Sequence, residues 1–146
     1  MKKILILTEE FGNSISPVSF LNGYLSEYGW KADEYAISEK YNLHEILNIA
    51  SSYNIIGLSS WGHDSKEILD LFCNFRKNGK ITVVGGPGVI EENPLFTHTV
   101  AGPGEYFLKE LLMGKKVPSF YRETKYPSYK FKLTDFLLNN LPGMNS

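Results

Sequence analysis

A short β-branched segment, Ile81 to Val84, runs directly into the nearly side-chain-free loop Gly85-Gly86-Pro87-Gly88. A run of this kind is typical of an interior strand in a parallel sheet. Glycines at the end of such a strand remove the Cβ atoms that would keep a ligand away from the backbone. In open α/β sheets, ligands bind beyond the carboxyl ends of the strands. The segment therefore predicts a parallel sheet with a ligand-binding edge at this loop.

Strand and helix patterns alternate along most of the chain. Strands are predicted at 3–8, 31–37, 54–59, 80–84 and 97–101, and helices at 17–28, 42–51, 65–78 and 105–113. Alternation with short connections favours a parallel sheet covered by helices on both faces. We therefore predict an α/β, flavodoxin-like (Rossmann-like) fold with three layers. Its doubly wound sheet is expected to have five parallel strands in the order 2-1-3-4-5, by analogy with that fold.

The alternating pattern stops after about Val117. The remaining segment is rich in proline and aromatic residues and lacks regular periodicity, apart from a short predicted helix from Thr134 to Asn139. Such a composition is typical of a linker. We therefore predict an α/β domain over 1–117 and a linker or docking arm over 118–146 that leads toward a missing downstream domain.

Charge and composition exclude several classes of protein. The formal net charge is -1 and the isoelectric point is about 6.3, so no overall positive field attracts nucleic acid or an anionic membrane. No apolar run approaches the roughly 18 residues of a membrane span. The apolar run Ile4 to Leu7 is too short for a signal peptide. Because Cys73 is the only cysteine, no intrachain disulfide can form. These features predict a cytoplasmic protein that binds neither nucleic acid nor membrane.

Polar side chains follow the third predicted strand, at the same edge as the glycine loop. Ser59 and Ser60 end this strand, and Trp61 follows on a loop. A serine hydroxyl at this place can bond a ligand that lies across the edge, although a serine also ends many strands without a ligand. The Trp61 ring has two interpretations, as a cover over a flat ligand or as a cap on the core.

Several common sites are absent from the sequence. There is no aspartate after the third strand for phosphotransfer, no Walker-type phosphate loop and no Gly-x-Gly-x-x-Gly at the first helix. The loop Glu9 to Ser14 distantly resembles a flavin phosphate loop, but its two carboxylates would repel a phosphate. The three histidines lack metal-ligand spacing, and no serine–histidine–acid triad is recognisable. We assign no catalytic residue and no metal ligand, and a flavin or other nucleotide stays a minor alternative.

Four segments, taken in order, resemble the N-terminal cobalamin (vitamin B12)-binding domain of cobalamin-dependent radical S-adenosylmethionine enzymes. They are Ser16 to Leu21 at the first helix, Ile56 to Ser59, Val83 to Pro87, and Gly102-Pro103-Gly104-Glu105-Tyr106-Phe107-Leu108. The resemblance covers roughly residues 2–114. It implies strand ends that face the corrin ring and the nucleotide tail of a cobalamin cofactor.

The resemblance also implies which residues bind this corrinoid. Ser59 would bond the nucleotide tail, and Gly85 and Gly86 would let the tail approach the backbone, so we expect valine at Gly86 to block the trough without unfolding the domain. The full set of predicted cofactor-binding residues is Ser59, Ser60, Trp61, Gly85, Gly86, Pro87, Gly102, Gly104 and Glu105.

The chain departs from this family in two respects. The Asp-x-His-x-x-Gly loop that supplies a lower axial histidine is absent, and so is a Cys-x-x-x-Cys-x-x-Cys motif. An iron–sulfur cluster and S-adenosylmethionine would belong to a radical S-adenosylmethionine barrel in the missing downstream domain. The chain alone is then not the catalyst: it is either a fragment of a methyltransferase or an enzyme of related chemistry, or a stand-alone binding module. The alternative is a degenerate domain of the same fold that binds no cofactor and serves for interaction.

Overall fold

Alternating strands and helices make up most of the computed structural model, which describes residues 2–9, 17–37 and 42–124. The strands are β1 (Lys2–Glu9), β2 (Trp30–Ile37), β3 (Ile55–Ser59), β4 (Ile81–Gly85), β5 (His98–Ala101) and β6 (Phe120–Arg122). The helices are α1 (Pro17–Leu25), continued by a 3₁₀ turn at Ser26–Tyr28, α2 (Leu43–Ala50), α3 (Lys66–Lys77) and α4 (Glu105–Leu112).

Local sequence signals explain where two of these helices begin. The side chain of Asn42 accepts a hydrogen bond from the backbone N–H of Glu45 at the start of α2. The hydroxyl of Ser65 accepts one from Ile68 N–H at the start of α3, over 3.2 Å. Each cap satisfies an amide that has no partner within its own helix.

All the pairings in the sheet are parallel, and the strand order is β2-β1-β3-β4-β5-β6. The prediction of five strands in the order 2-1-3-4-5 is therefore wrong in strand count and in the full order. The sixth strand, β6, lies within the segment predicted to be an arm, and it pairs with β5. Its three residues are too few to show a periodic pattern. The helix predicted from Thr134 to Asn139 lies outside the described residues.

The sheet separates two hydrophobic cores. One lies between the sheet and helices α2 and α3, where Phe72 and Phe75 are fully buried. The other lies between the sheet and helices α1 and α4, where Val18, Leu25 and Phe107 are buried. The predicted three-layer α/β, Rossmann-like class is thus confirmed. Among the described helices, none has the length and apolar character needed to cross a membrane.

A tyrosine–aspartate pair joins the turn after α2 to the edge strand β2. Tyr53 Oη donates to Asp33 Oδ2 over 2.5 Å. This bond, with burial, raises the pKa of Tyr53 from 10.0 to about 12. Burial raises the pKa of Asp33, but hydrogen bonds from Tyr53 and Lys31 outweigh it, so that pKa is lowered overall.

We expect stability to fall as the pH rises from about 10 to about 12, because the unfolded chain releases the Tyr53 proton near its ordinary pKa and the folded chain holds it longer. The free energy of unfolding of wild type and Tyr53→Phe, measured in urea at pH 9 and pH 11, checks this. The variant is expected to lose less stability between the two pH values. An equal loss in both proteins would contradict the assignment to Tyr53.

Candidate ligand-binding site

Side-chain size falls along the strands on the sheet face that α1 and α4 cover. Three rows of residues cross β1, β3 and β4 on this face. From the amino to the carboxyl ends they are Ile4-Ile55-Ile81, Ile6-Gly57-Val83 and Thr8-Ser59-Gly85. Because alternate residues of a strand share a face, the step from isoleucine to glycine opens a depression toward the carboxyl edge.

A cavity of about 490 Å³ occupies this depression. We call it the edge cavity. Its floor includes the row Ile6-Gly57-Val83, Ser59 and Gly85 of the next row, and Val100 of β5. Its walls include Val18 and Leu21 of α1 and Leu108 of α4. The loops after β4 and β5 line its outer part. Size, apolar walls and position at the carboxyl edge are all typical of ligand sites in α/β proteins.

Two glycines in strands account for the depth of the edge cavity. A Cβ atom on Gly57 would lie 3.6 Å from the Ile6 side chain, and one on Gly85 would lie 3.8 Å from the Val100 carbonyl oxygen. Both are ordinary van der Waals distances, so each strand could accept a side chain there. Gly57 is not among the site residues predicted from the sequence. A glycine inside a β-branched strand is the signal that could have found it, because such a glycine often marks a close approach of another group.

Gly86 and Gly88 serve loop packing. Gly86 has a φ of 116°, and a Cβ atom there would lie 2.5 Å from the Ser60 carbonyl oxygen. A Cβ atom on Gly88 would lie 2.1 Å from the Gly62 nitrogen. The expectation that valine at Gly86 blocks the trough without unfolding the domain is wrong, because this side chain would collide with backbone and require an unfavourable φ.

Hydrogen bonds hold these two loops against each other. Ser60 N–H donates to the Gly85 carbonyl oxygen over 2.6 Å, and Gly88 N–H donates to the Ser60 carbonyl oxygen over 3.0 Å. The Ser60 hydroxyl donates to Asp64 Oδ2 over 2.7 Å and accepts from Gly62 N–H over 3.1 Å. The backbone and hydroxyl groups of Ser60 therefore form hydrogen bonds within and between these two loops.

The structure brings most of the predicted binding residues to the edge cavity. Those that line it are Ser59, Gly85, Gly86, Pro87, Gly102, Gly104 and Glu105. Ser60 and Trp61 are not among its lining residues. The Trp61 side chain is 45% exposed on the loop that follows Ser60.

Two buried polar side chains face this mostly apolar space. Ser59 ends β3 and is 8% exposed, and Glu105 begins α4 and is 7% exposed. The turn Gly102-Pro103-Gly104 connects β5 to α4 and places Glu105 at the helix N-terminus, where the helix dipole favours a negative charge. The edge cavity can therefore hold a largely apolar group with few polar anchors.

Aromatic contacts hold the two wall helices together. The rings of Tyr24 in α1 and Tyr106 in α4 are 5.7 Å apart between centroids and nearly perpendicular. Burial, with hydrogen bonding and charge from Tyr28 and neighbouring groups, raises the pKa of Tyr24. Lys109 Nζ lies 4.8 Å from the centroid of the Tyr28 ring, a cation–π contact between α4 and the 3₁₀ turn.

The histidines are placed in separate surroundings. His63 is exposed on the loop after β3, and His98 Nδ1 lies 2.8 Å from the Pro118 carbonyl oxygen. In the part of the chain that the structure describes, no three His, Cys, Asp or Glu side chains form a group that could hold a metal ion.

Neither the models of known protein families nor the curated proteins include a match to this chain. Fold and cavity together define its class, a three-layer parallel α/β protein with an apolar cavity at the carboxyl edge of its sheet.

Proposed function

We propose that this chain is a cobalamin-binding domain, with the base and the ribose of the cofactor's nucleotide tail in the edge cavity and the phosphodiester of the tail toward its opening. The observation that carries the proposal is the shape of the cavity, which combines an inner floor containing Gly57 and Gly85 with apolar walls from α1 and α4. The benzimidazole base of the tail is flat and largely apolar, and a trough of small residues between two helices suits such a group.

The corrin ring is larger than the edge cavity and would lie outside it, over the carboxyl edge of the sheet. The loops that hold Pro87 and Gly102 border the opening, so they are the parts of the chain that would meet the ring. Ser59 would bond the tail, because its hydroxyl lies at the end of β3 and lines the cavity. When bound, cobalamin would supply a cobalt-carried methyl group to a reaction that another domain would perform.

This proposal fits the described residues better than a flavin or another nucleotide bound through its phosphate. A phosphate site normally offers backbone amides with a basic or hydroxyl side chain. Among the described residues that line the edge cavity there is no lysine, arginine or histidine, and Glu105 adds a carboxylate. An anionic group inside the cavity would therefore be repelled rather than bound.

Retention of a corrinoid by the purified chain tests the proposal directly. When the purified chain is mixed with hydroxocobalamin, we expect the corrinoid to co-elute in gel filtration and its visible spectrum to change, because the tail leaves water and the corrin contacts the loops. Absorbance at the corrin bands across the protein peak measures retention.

Absence of co-elution at tens of micromolar protein would contradict the proposal and favour a domain of the same fold that serves for interaction only. Cobinamide, which lacks the nucleotide tail, is the matched control ligand. It should be retained much less than hydroxocobalamin, and equal retention would contradict seating of the tail in the edge cavity.

A further inference from the structure

The polar inner surface of the edge cavity has one sign of charge. Glu105 is buried and lines the cavity with Ser59, and the other lining side chains are aliphatic or proline. No basic residue belongs to the lining among residues 2–9, 17–37 and 42–124. A carboxylate in such surroundings acts as a hydrogen-bond acceptor and carries a charge that water screens weakly.

Two basic residues, one in α4 and one in the segment after it, make contacts away from this surface. Lys109 lies over the Tyr28 ring, and Lys115 pairs with Glu110 over 3.0 Å. The helix N-terminus compensates part of the charge of Glu105. The helix N-terminus therefore stabilises the buried carboxylate of Glu105. It does not provide a positive site for a second anion, such as a phosphate, beside Glu105.

We infer that Glu105 is a specificity-determining residue that selects an uncharged, hydrogen-bond-donating part of the ligand and rejects a phosphate in the edge cavity. The inference rests on the proposed function, because it states where the ribose and the phosphodiester of the cobalamin nucleotide tail lie in the cavity. Hydroxyl groups of the ribose belong beside Glu105, where they donate to the carboxylate. The phosphodiester of the tail belongs toward the opening, where solvent screens its charge from Glu105.

If Glu105 has this role, the edge cavity prefers an uncharged nucleoside to its phosphate, and this preference can be measured without the corrin ring. α-Ribazole is the nucleoside of the cobalamin tail and is uncharged, and its 5′-phosphate adds an anion to the same ring and sugar. We expect wild type to bind α-ribazole at least about tenfold more tightly than α-ribazole 5′-phosphate, the size of one lost charge-assisted hydrogen bond.

Isothermal titration of both probes into wild type and Glu105→Gln tests this expectation. The amide keeps the shape of the side chain and removes its charge, so the variant should bind α-ribazole about tenfold more weakly and lose most of the preference over the phosphate. Glu110→Gln, on the same helix and outside the lining, is the matched control and should keep the wild-type preference. Melting temperatures of all three proteins verify that each is folded.

The outcomes separate this inference from the proposed function. Equal binding of the two probes to wild type, or an unchanged preference in a folded Glu105→Gln, would overturn the role of Glu105 and leave corrinoid binding supported by hydroxocobalamin retention. Failure of wild type to bind α-ribazole, its phosphate and hydroxocobalamin would overturn both. Retention of hydroxocobalamin without binding of α-ribazole or its 5′-phosphate would overturn the inference alone.

Discussion

Gly85→Val is expected to abolish retention of hydroxocobalamin and leave the fold intact. The Cβ atom of a residue at this position meets only ordinary contacts, 3.8 Å from the Val100 carbonyl oxygen and 3.9 Å from Val100 Cβ, and β-branched residues suit a strand. The valine methyl groups would then occupy floor space that the ligand needs. An overlap of this size in a packed site weakens binding by up to about 100-fold.

Ala36→Val is the control for this experiment. It adds two of the three carbons that Gly85→Val adds, at an exposed position of the edge strand β2 that lies beside Thr8 in the sheet and outside the lining of the edge cavity. The control should retain hydroxocobalamin as wild type does. A Gly85→Val protein that melts like wild type and still retains the corrinoid would show that the ligand lies elsewhere.

Gly88→Ala is expected to lower the free energy of unfolding by about 3 kcal/mol, the upper end of the usual cost of overpacking. Its Cβ atom would lie 2.1 Å from both the Gly62 nitrogen and the Trp61 carbonyl carbon. These are backbone atoms, so relief requires separation of two loops that the Gly88–Ser60 hydrogen bond joins. Urea denaturation monitored by circular dichroism measures the change.

Gly85→Ala provides the comparison, because it adds the same methyl group three residues earlier without a close contact. We expect its stability to differ from wild type by no more than about 0.5 kcal/mol, as for substitutions away from special features. A Gly88→Ala protein as stable as Gly85→Ala would mean that the two loops are not packed as described.

The fold class could be predicted because each helix and each long strand shows its own hydrophobic pattern in the sequence. Helices with an apolar face and short β-branched strands alternate through residue 113, and that alternation alone requires a parallel, covered sheet. The strand β6 could not be found in this way. Its residues Phe120 to Arg122 are aromatic or charged and too few to alternate, so their strand conformation depends on pairing with β5.

The candidate site was predictable where it depends on strand ends. Ser59 and Gly85 end adjacent parallel strands, so their meeting follows from the strand order alone. Gly57 was not found, because its effect depends on the larger Ile6 and Val83 beside it in the neighbouring strands. Gly86 lines the edge cavity as predicted, but the expectation that valine there would leave the domain folded failed, because a Cβ atom at Gly86 would meet the Ser60 backbone.

The parallel direction of β6 has a consequence for any domain that continues from this one. Because β6 runs in the same direction as β5, the chain leaves the sheet at the carboxyl edge, where Glu123 N–H donates to the Ala101 carbonyl oxygen over 2.9 Å. Ala101 immediately precedes Gly102, which lines the edge cavity. A partner domain tethered from this point by a short flexible linker would meet the cavity opening at an effective concentration of about millimolar. Transfer of a chemical group between this domain and the partner domain would then need little intrinsic affinity between their surfaces.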